Sequence, residues 1–123
     1  KMDERLIITA KELEDQLPMV EATLAHLIPM AMKGETEKFV SDATLFMEAI
    51  GTIVVAWQWL KIGITASNAL KSSDAAFSAS MLKNKLHTMR FFYKYELARN
   101  KSIFKIIQSD EVLTLAEDEA FPD

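Results

Sequence analysis

Three apolar stripes that step by 4 and 3 residues, the first two in strict alternation, constrain this chain more than any other feature. The first runs Leu6, Ala10, Leu13, Leu17, Val20, Leu24, Leu27, Ala31. Such spacing puts every member on one side of an α-helix and cannot be satisfied by a strand, whose faces alternate every second residue. It predicts a helix over about 3–32. Pro18 lies inside it, lacks an N–H and crowds the preceding turn, so a kink is expected there, or two helices meeting near it. Gly34 follows where a left-handed C-terminal residue belongs.

The second stripe, Phe39, Ala43, Phe46, Ile50, Ile53, Trp57, Leu60, Ile64, predicts a helix over about 36–71. Val40, Met47, Val54, Val55, Trp59 and Ile62 fall outside that stripe, so this helix is apolar around most of its circumference and reads as central, or as covered by a second partner. The third stripe, Ala75, Ala79, Leu82, Leu86, Met89, Tyr93, Leu97, continues less cleanly through Phe104 and Ile107. It predicts a helix over about 74–108, with Ser73 or Asp74 as N-cap and a distortion around 99–102. Lys83, Lys85, Lys94, Arg99, Lys101 and Lys105 keep its other side wet. Three long helices joined by short connections form an antiparallel up-down bundle, an all-α fold. Residues 111–116 offer a short fourth piece.

Composition agrees with few interruptions. The chain has 123 residues, half of them hydrophobic, with only three Gly and three Pro. It has no Cys, which excludes disulfides, thiolate nucleophiles and Cys-ligated zinc. Asp110, Glu111, Glu117, Asp118, Glu119 and Asp123 crowd a final segment without Lys or Arg, leaving residues 1–109 with 14 basic and 12 acidic side chains. The organisation expected is a helical domain over 1–109 and an acidic tail over 110–123. Neither part is basic enough to suggest a nucleic-acid partner. The most apolar run, 49–60, lies between Glu48 and Lys61 and is shorter than the ~20 residues of a membrane span, so it reads as a buried helix and no span is expected. Lys1-Met2-Asp3-Glu4-Arg5 leads into no signal-peptide core, and a cytoplasmic location is expected.

Catalytic chemistry is hard to find. His26 and His87 have Thr23 and Asn84 three residues before them, not the Glu of a di-iron Glu-x-x-His motif. Glu48, in an apolar helix, is the one carboxylate worth testing for desolvation. There is no glycine-rich phosphate loop, zinc-binding His-Glu-x-x-His or nucleophile elbow. No catalytic, cofactor-binding or metal-binding residue is therefore assigned. The residues left for recognition are apolar: Met47, Val55, Trp59 and Ile62 on the second helix, Phe91 and Tyr95 on the third. Trp57, as a stripe member, is expected in the core; Trp59 points elsewhere on the same helix and either packs under the third helix or marks a surface patch that meets another protein.

Ala43-Thr44-Leu45-Phe46-Met47-Glu48-Ala49-Ile50-Gly51, then Ala56-Trp57-Gln58-Trp59-Leu60, resembles the second helix of the C-terminal helical domain of bacterial acyl-CoA dehydrogenases similar to 3-(methylthio)propanoyl-CoA dehydrogenase. Lys83 and Lys85 ahead of Phe91-Phe92-Tyr93 and Glu96-Leu97 resemble that domain's third helix. At Leu97-Ala98 the chain departs from the family, which often has a proline there, and so leaves the third helix free to continue. The resemblance implies a flavoprotein of which this is the tail: FAD and the catalytic carboxylate belong to preceding domains. The implied partners are the rest of an acyl-CoA dehydrogenase chain or its subunits, with a homo-oligomer among the options. Two other readings stay open: a stand-alone helical-bundle adaptor for a protein partner, and a carrier holding an acyl chain between helices.

Overall fold

The computed structural model describes residues 4–72 and 78–109. These form α1 (Glu4–Glu14), α2 (Gln16–Met32), α3 (Thr36–Lys71), α4 (Ala79–Tyr95), a 3₁₀ turn (Leu97–Arg99) and α5 (Asn100–Gln108). They make three rods: α1 with α2, α3 alone, and α4 with α5, arranged as the expected antiparallel bundle. The expected fourth piece at 111–116 lies outside the described residues.

The first rod bends at Asp15, whose backbone stays near helical values (φ −65°, ψ −14°). Pro18 has no N–H to offer the Glu14 carbonyl, so the ladder lapses just upstream of the proline. Lys11 and Asp15 form an exposed ion pair at 3.0 Å beside the bend. At the far end, Gly34 takes φ +78°; its N–H bonds the Ala31 carbonyl and that of Glu35 bonds Met30. This is the left-handed helix stop expected from sequence.

One half of the first stripe is displaced. Leu6 and Leu27 are buried and Leu13 and Val20 half-buried, but the second line of contact runs through Thr9, Gln16, Thr23 and Met30, one residue earlier than Ala10, Leu17, Leu24 and Ala31. Leu17 and Leu24 are exposed. The polar members of the buried line are hydrogen-bonded, which makes their burial tolerable. Thr9 and Thr23 donate to the carbonyls of Arg5 and Met19, both at 2.7 Å. Asn100, fully buried at the start of α5, donates to Gln16 Oε1 at 3.1 Å and to the Ala49 carbonyl at 3.0 Å. Gln108 donates to Thr23 Oγ1 at 3.1 Å. A polar seam thus joins all three rods.

α3 turns an unexpected face inward. Its buried line is Asp42, Ala49, Ala56 and Gly63 at seven-residue spacing, with Leu60, Ala66 and Ser67 beside it. Small side chains let α4 come close: Met89 lies against Gly63, and the Tyr93 hydroxyl donates to the Ala56 carbonyl at 2.7 Å. Leu6, Ala56, Leu60, Met89, Tyr93 and Leu97 form the main core. Phe46 and Phe104 meet at 6.4 Å between ring centres where α3 crosses α5.

The third rod follows its stripe well: Leu82, Met89, Tyr93, Leu97, Phe104 and Ile107 are all buried. Its start is corrected. Ser73 and Asp74 lie outside the described residues, and the helix begins at Ala79, where Ser78 is extended and its Oγ accepts from the Met81 N–H at 3.1 Å. The distortion falls at 97–99 rather than 99–102, so the helix does not continue unbroken through Leu97-Ala98.

Candidate interaction surfaces

Because the small residues of α3 face inward, one set of its larger residues faces out. Val40, Met47, Val54, Val55 and Ile62 are all exposed, Met47 at 65%. They share an arc with Thr44, Gly51, Gln58 and Thr65, and nothing lies within 4 Å of a Cβ placed on Gly51. The five large side chains together leave on the order of 400 Å² of apolar surface in water, within the ~300–600 Å² of the largest apolar patch on a typical monomer. The reading of 49–60 as buried is therefore corrected: the helix is packed on one side only. By length and composition α3 could cross a bilayer, and 22% of its most apolar window is buried. That is weak ground for a span, since α4, packed along it, exposes Lys83, Lys85, Arg90 and Lys94.

Trp57 lies outside the core expected of it, and of the two places left open for Trp59 the structure takes packing. Trp57 is 51% exposed, with Lys61 Nζ 4.8 Å from its ring centre. Trp59 is half-buried against the core. Trp59 lies three residues beyond Ala56 and four before Gly63, beside the buried line, whereas Trp57 lies about 100° away from Ala56. Of the six recognition residues expected, Met47, Val55 and Ile62 thus share the outer face of α3, and Trp59 does not. The apolarity of Val40 and Val54 outside the stripe was the signal for the rest of that face; nothing in the pattern marked Trp57.

Phe91 and Tyr95 belong to a second surface. α1 meets α4 only lightly, and a groove of about 980 Å³ opens between the first and third rods. Ile8, Met19, Phe91 and Leu97 line its apolar part, and the Phe91 and Tyr95 rings lie 4.7 Å apart on one wall. Arg90, Lys94 and Lys101 stand along the same rod, with His87 beside them; Glu12 and Asp15 stand on the other. Burial, then the charge of Asp15, raises the Glu12 carboxyl above its ordinary pKa. Burial also holds the Tyr93 phenol far above the usual tyrosine range. A smaller hollow of about 410 Å³ lies between α3 and α4 around Ile62, Met81 and Leu82.

Two polar groups near the α2–α3 turn are under strain of another kind. Asp42 is buried with no protein partner for Oδ2, and half-buried His26 has none for Nε2. Burial raises the Asp42 carboxyl, opposed by the charges of Lys38 and His26. Glu48, the carboxylate singled out by sequence, is exposed. Among the described residues no three His, Asp or Glu side chains gather as a metal site.

An all-α bundle with polar-seamed packing and one bare apolar helix face matches a family model described as acetyl-CoA dehydrogenase C-terminal like, over residues 3–117. The chain belongs to that family. This C-terminal-like domain matches no curated protein and no solved structure. Family membership covers both rods that line the groove and the whole of α3, so both surfaces described above belong to the acetyl-CoA dehydrogenase C-terminal-like domain itself.

Proposed function

We propose that this domain is the non-catalytic C-terminal helical module of a flavin-dependent acyl-CoA dehydrogenase, and that the outer face of α3 packs it against the rest of the enzyme chain or a neighbouring subunit. The observation that carries the reading is the bare arc Val40–Met47–Val54–Val55–Ile62 on a domain of this family. An apolar face this long is costly in water and is stabilised by a matching surface, each Å² covered contributing about 25 cal/mol before the costs of association. Residues 43–51 and 56–60, which resemble enzymes similar to 3-(methylthio)propanoyl-CoA dehydrogenase, support that subgroup for the parent. FAD and the carboxylate that removes the α-proton would come from the preceding domains, and the β-hydrogen would pass to the flavin as hydride. This segment contributes position, not chemistry. A cytoplasmic enzyme fits the chain's charge and lack of cysteine.

The test is capture of the native protein from its source with an antibody to this segment. A captured chain several times heavier than 13.9 kDa with flavin absorbance is the expected result. A colourless chain near 13.9 kDa would overturn the proposal and leave a stand-alone adaptor that uses the same α3 face.

A further inference from the structure

We infer that the outer face of α3 pairs with the same face of a second copy of this chain, the two helices running antiparallel about a two-fold axis at Gly51. Glycine is the poorest helix former after proline, so one in the interior of a long helix calls for a local reason. Gly63 has one: Met89 and Leu6 fill the space a side chain would need. Gly51 has none among the described residues, since it is exposed and nothing lies within 4 Å of a Cβ placed there. It stands mid-face on α3, as a notch that lets a second backbone come close.

The residues around the notch point to what fills it. Four positions either side of Gly51 are Met47 and Val55, seven positions Thr44 and Gln58, and eleven positions Val40 and Ile62. All six are exposed, and all lie within about 40° of Gly51 around the helix. Apolar thus matches apolar, and polar matches polar, on the two sides. A two-fold axis through Gly51, perpendicular to α3, exchanges these positions. It brings Met47 level with the partner's Val55 and Val40 level with the partner's Ile62. None of the six is charged, so the pairing sets no like charges against each other along this strip. Glu48 and Val54, three positions away, break the match, but they sit about 60° off at the flanks, where the carboxylate keeps its water. An unrelated surface would impose no such symmetry on α3.

The five large side chains offer on the order of 400 Å² per copy, so a pair covers about 800 Å² of apolar surface, short of the ~1,200 Å² of a lasting interface. The dimer is therefore weak, with a dissociation constant on the order of 10–100 μM, and the dilute chain is monomeric. Self-pairing rests on α3 presenting a packing face, as proposed above, and not on the flavoenzyme parent.

Gly51→Leu separates a notch from a merely adhesive face, because it adds apolar area while closing the notch. Sedimentation of the 123-residue chain between ~1 μM and ~1 mM should show a monomer–dimer equilibrium that Gly51→Leu weakens roughly tenfold. In dilute solution Gly51→Leu should melt no lower than the parent, since leucine suits a helix better than glycine. Stronger association of Gly51→Leu would overturn the inference. So would a chain that stays monomeric throughout, or one that binds phosphatidylcholine vesicles through α3 instead of pairing. Disulfides read the register, with no native cysteine to confuse them. Under mild oxidation, a mixture of Met47→Cys and Val55→Cys chains should form the mixed disulfide faster than either forms its own. Preferential self-pairing of Met47→Cys would mean a parallel arrangement and overturn the two-fold at Gly51. Failure of self-pairing leaves the flavoenzyme module standing, with α3 against another domain; capture of a small colourless chain overturns that module and leaves self-pairing standing.

Discussion

Gly51 and Gly63 stand in the same helix, and Gly→Ala at each tests the inward face assigned to α3. In a helix interior, alanine is more favourable than glycine by about 1 kcal/mol, because glycine loses more backbone freedom. At Gly51 the added methyl meets nothing within 4 Å, so Gly51→Ala should collect that gain nearly in full. For a chain of this length it corresponds to a rise of roughly 3–5 °C in melting temperature. At Gly63 the same methyl would run into Met89 Sδ, with Met89 Cε and Leu6 Cδ2 each at 3.4 Å. Overpacking a tight core costs about 1–3 kcal/mol, which exceeds the helix gain. Gly63→Ala should therefore lose about 1 kcal/mol, and the two variants should differ by about 2 kcal/mol. Urea unfolding with the m-value held as a check reads this directly, since a shift in midpoint at constant slope is a change in stability. The Met89→Ala background should return the helix gain to Gly63→Ala. If Gly63→Ala proves as stable as Gly51→Ala in the otherwise unaltered chain, α4 does not press on Gly63 and the face assigned to α3 is wrong.

Two further outcomes follow from the buried polar groups. Asn100→Ala removes the donor shared by Gln16 and the Ala49 carbonyl, and should lower stability by about 2–4 kcal/mol; a thermal melt within about 1 kcal/mol of the parent would mean the seam is wet or unformed. Asp42→Asn should stabilise the domain at neutral pH. The Asp42 carboxyl is raised in the folded state by burial, so the folded chain holds that proton more tightly than the unfolded one. Stability conferred by the neutral acid is present at low pH, is lost as pH rises from ~4 through the raised folded value, and stays lost above it. An amide at this position is neutral at every pH. The advantage of Asp42→Asn over the parent, read as a difference in urea midpoint, should thus shrink between about pH 7.5 and about pH 4. A difference independent of pH would refute this account of Asp42.

Much of the fold was legible because periodicity is a local property. The three rods, the Gly34 stop and the line Leu82, Met89, Tyr93, Leu97, Phe104, Ile107 follow from spacing alone. The first rod shows where that reasoning stops. Ala10, Leu17, Leu24 and Ala31 beat Thr9, Gln16 and Thr23 on apolarity, yet the polar line is buried. Asn100 and Gln108 come from 84 and 85 residues away to satisfy it, and no local pattern carries that pairing. The candidate surface was half legible for a related reason. Met47, Val55 and Ile62 were correctly read as lying off the stripe, while Trp57 was expected in the core and is exposed, and spacing left Trp59 open between packing and surface.

What the sequence by itself determined is the number, length and polarity of the helices, because these depend on each residue's own preference and on neighbours three and four positions away. Only the tertiary structure decided which side of α3, and which second line of the first rod, is inside. For α3 the deciding quantity was distance of approach: Ala49, Ala56 and Gly63 are buried because their small side chains admit Met89 and Tyr93, and the bulkier Val40, Met47 and Val54 are left facing outward.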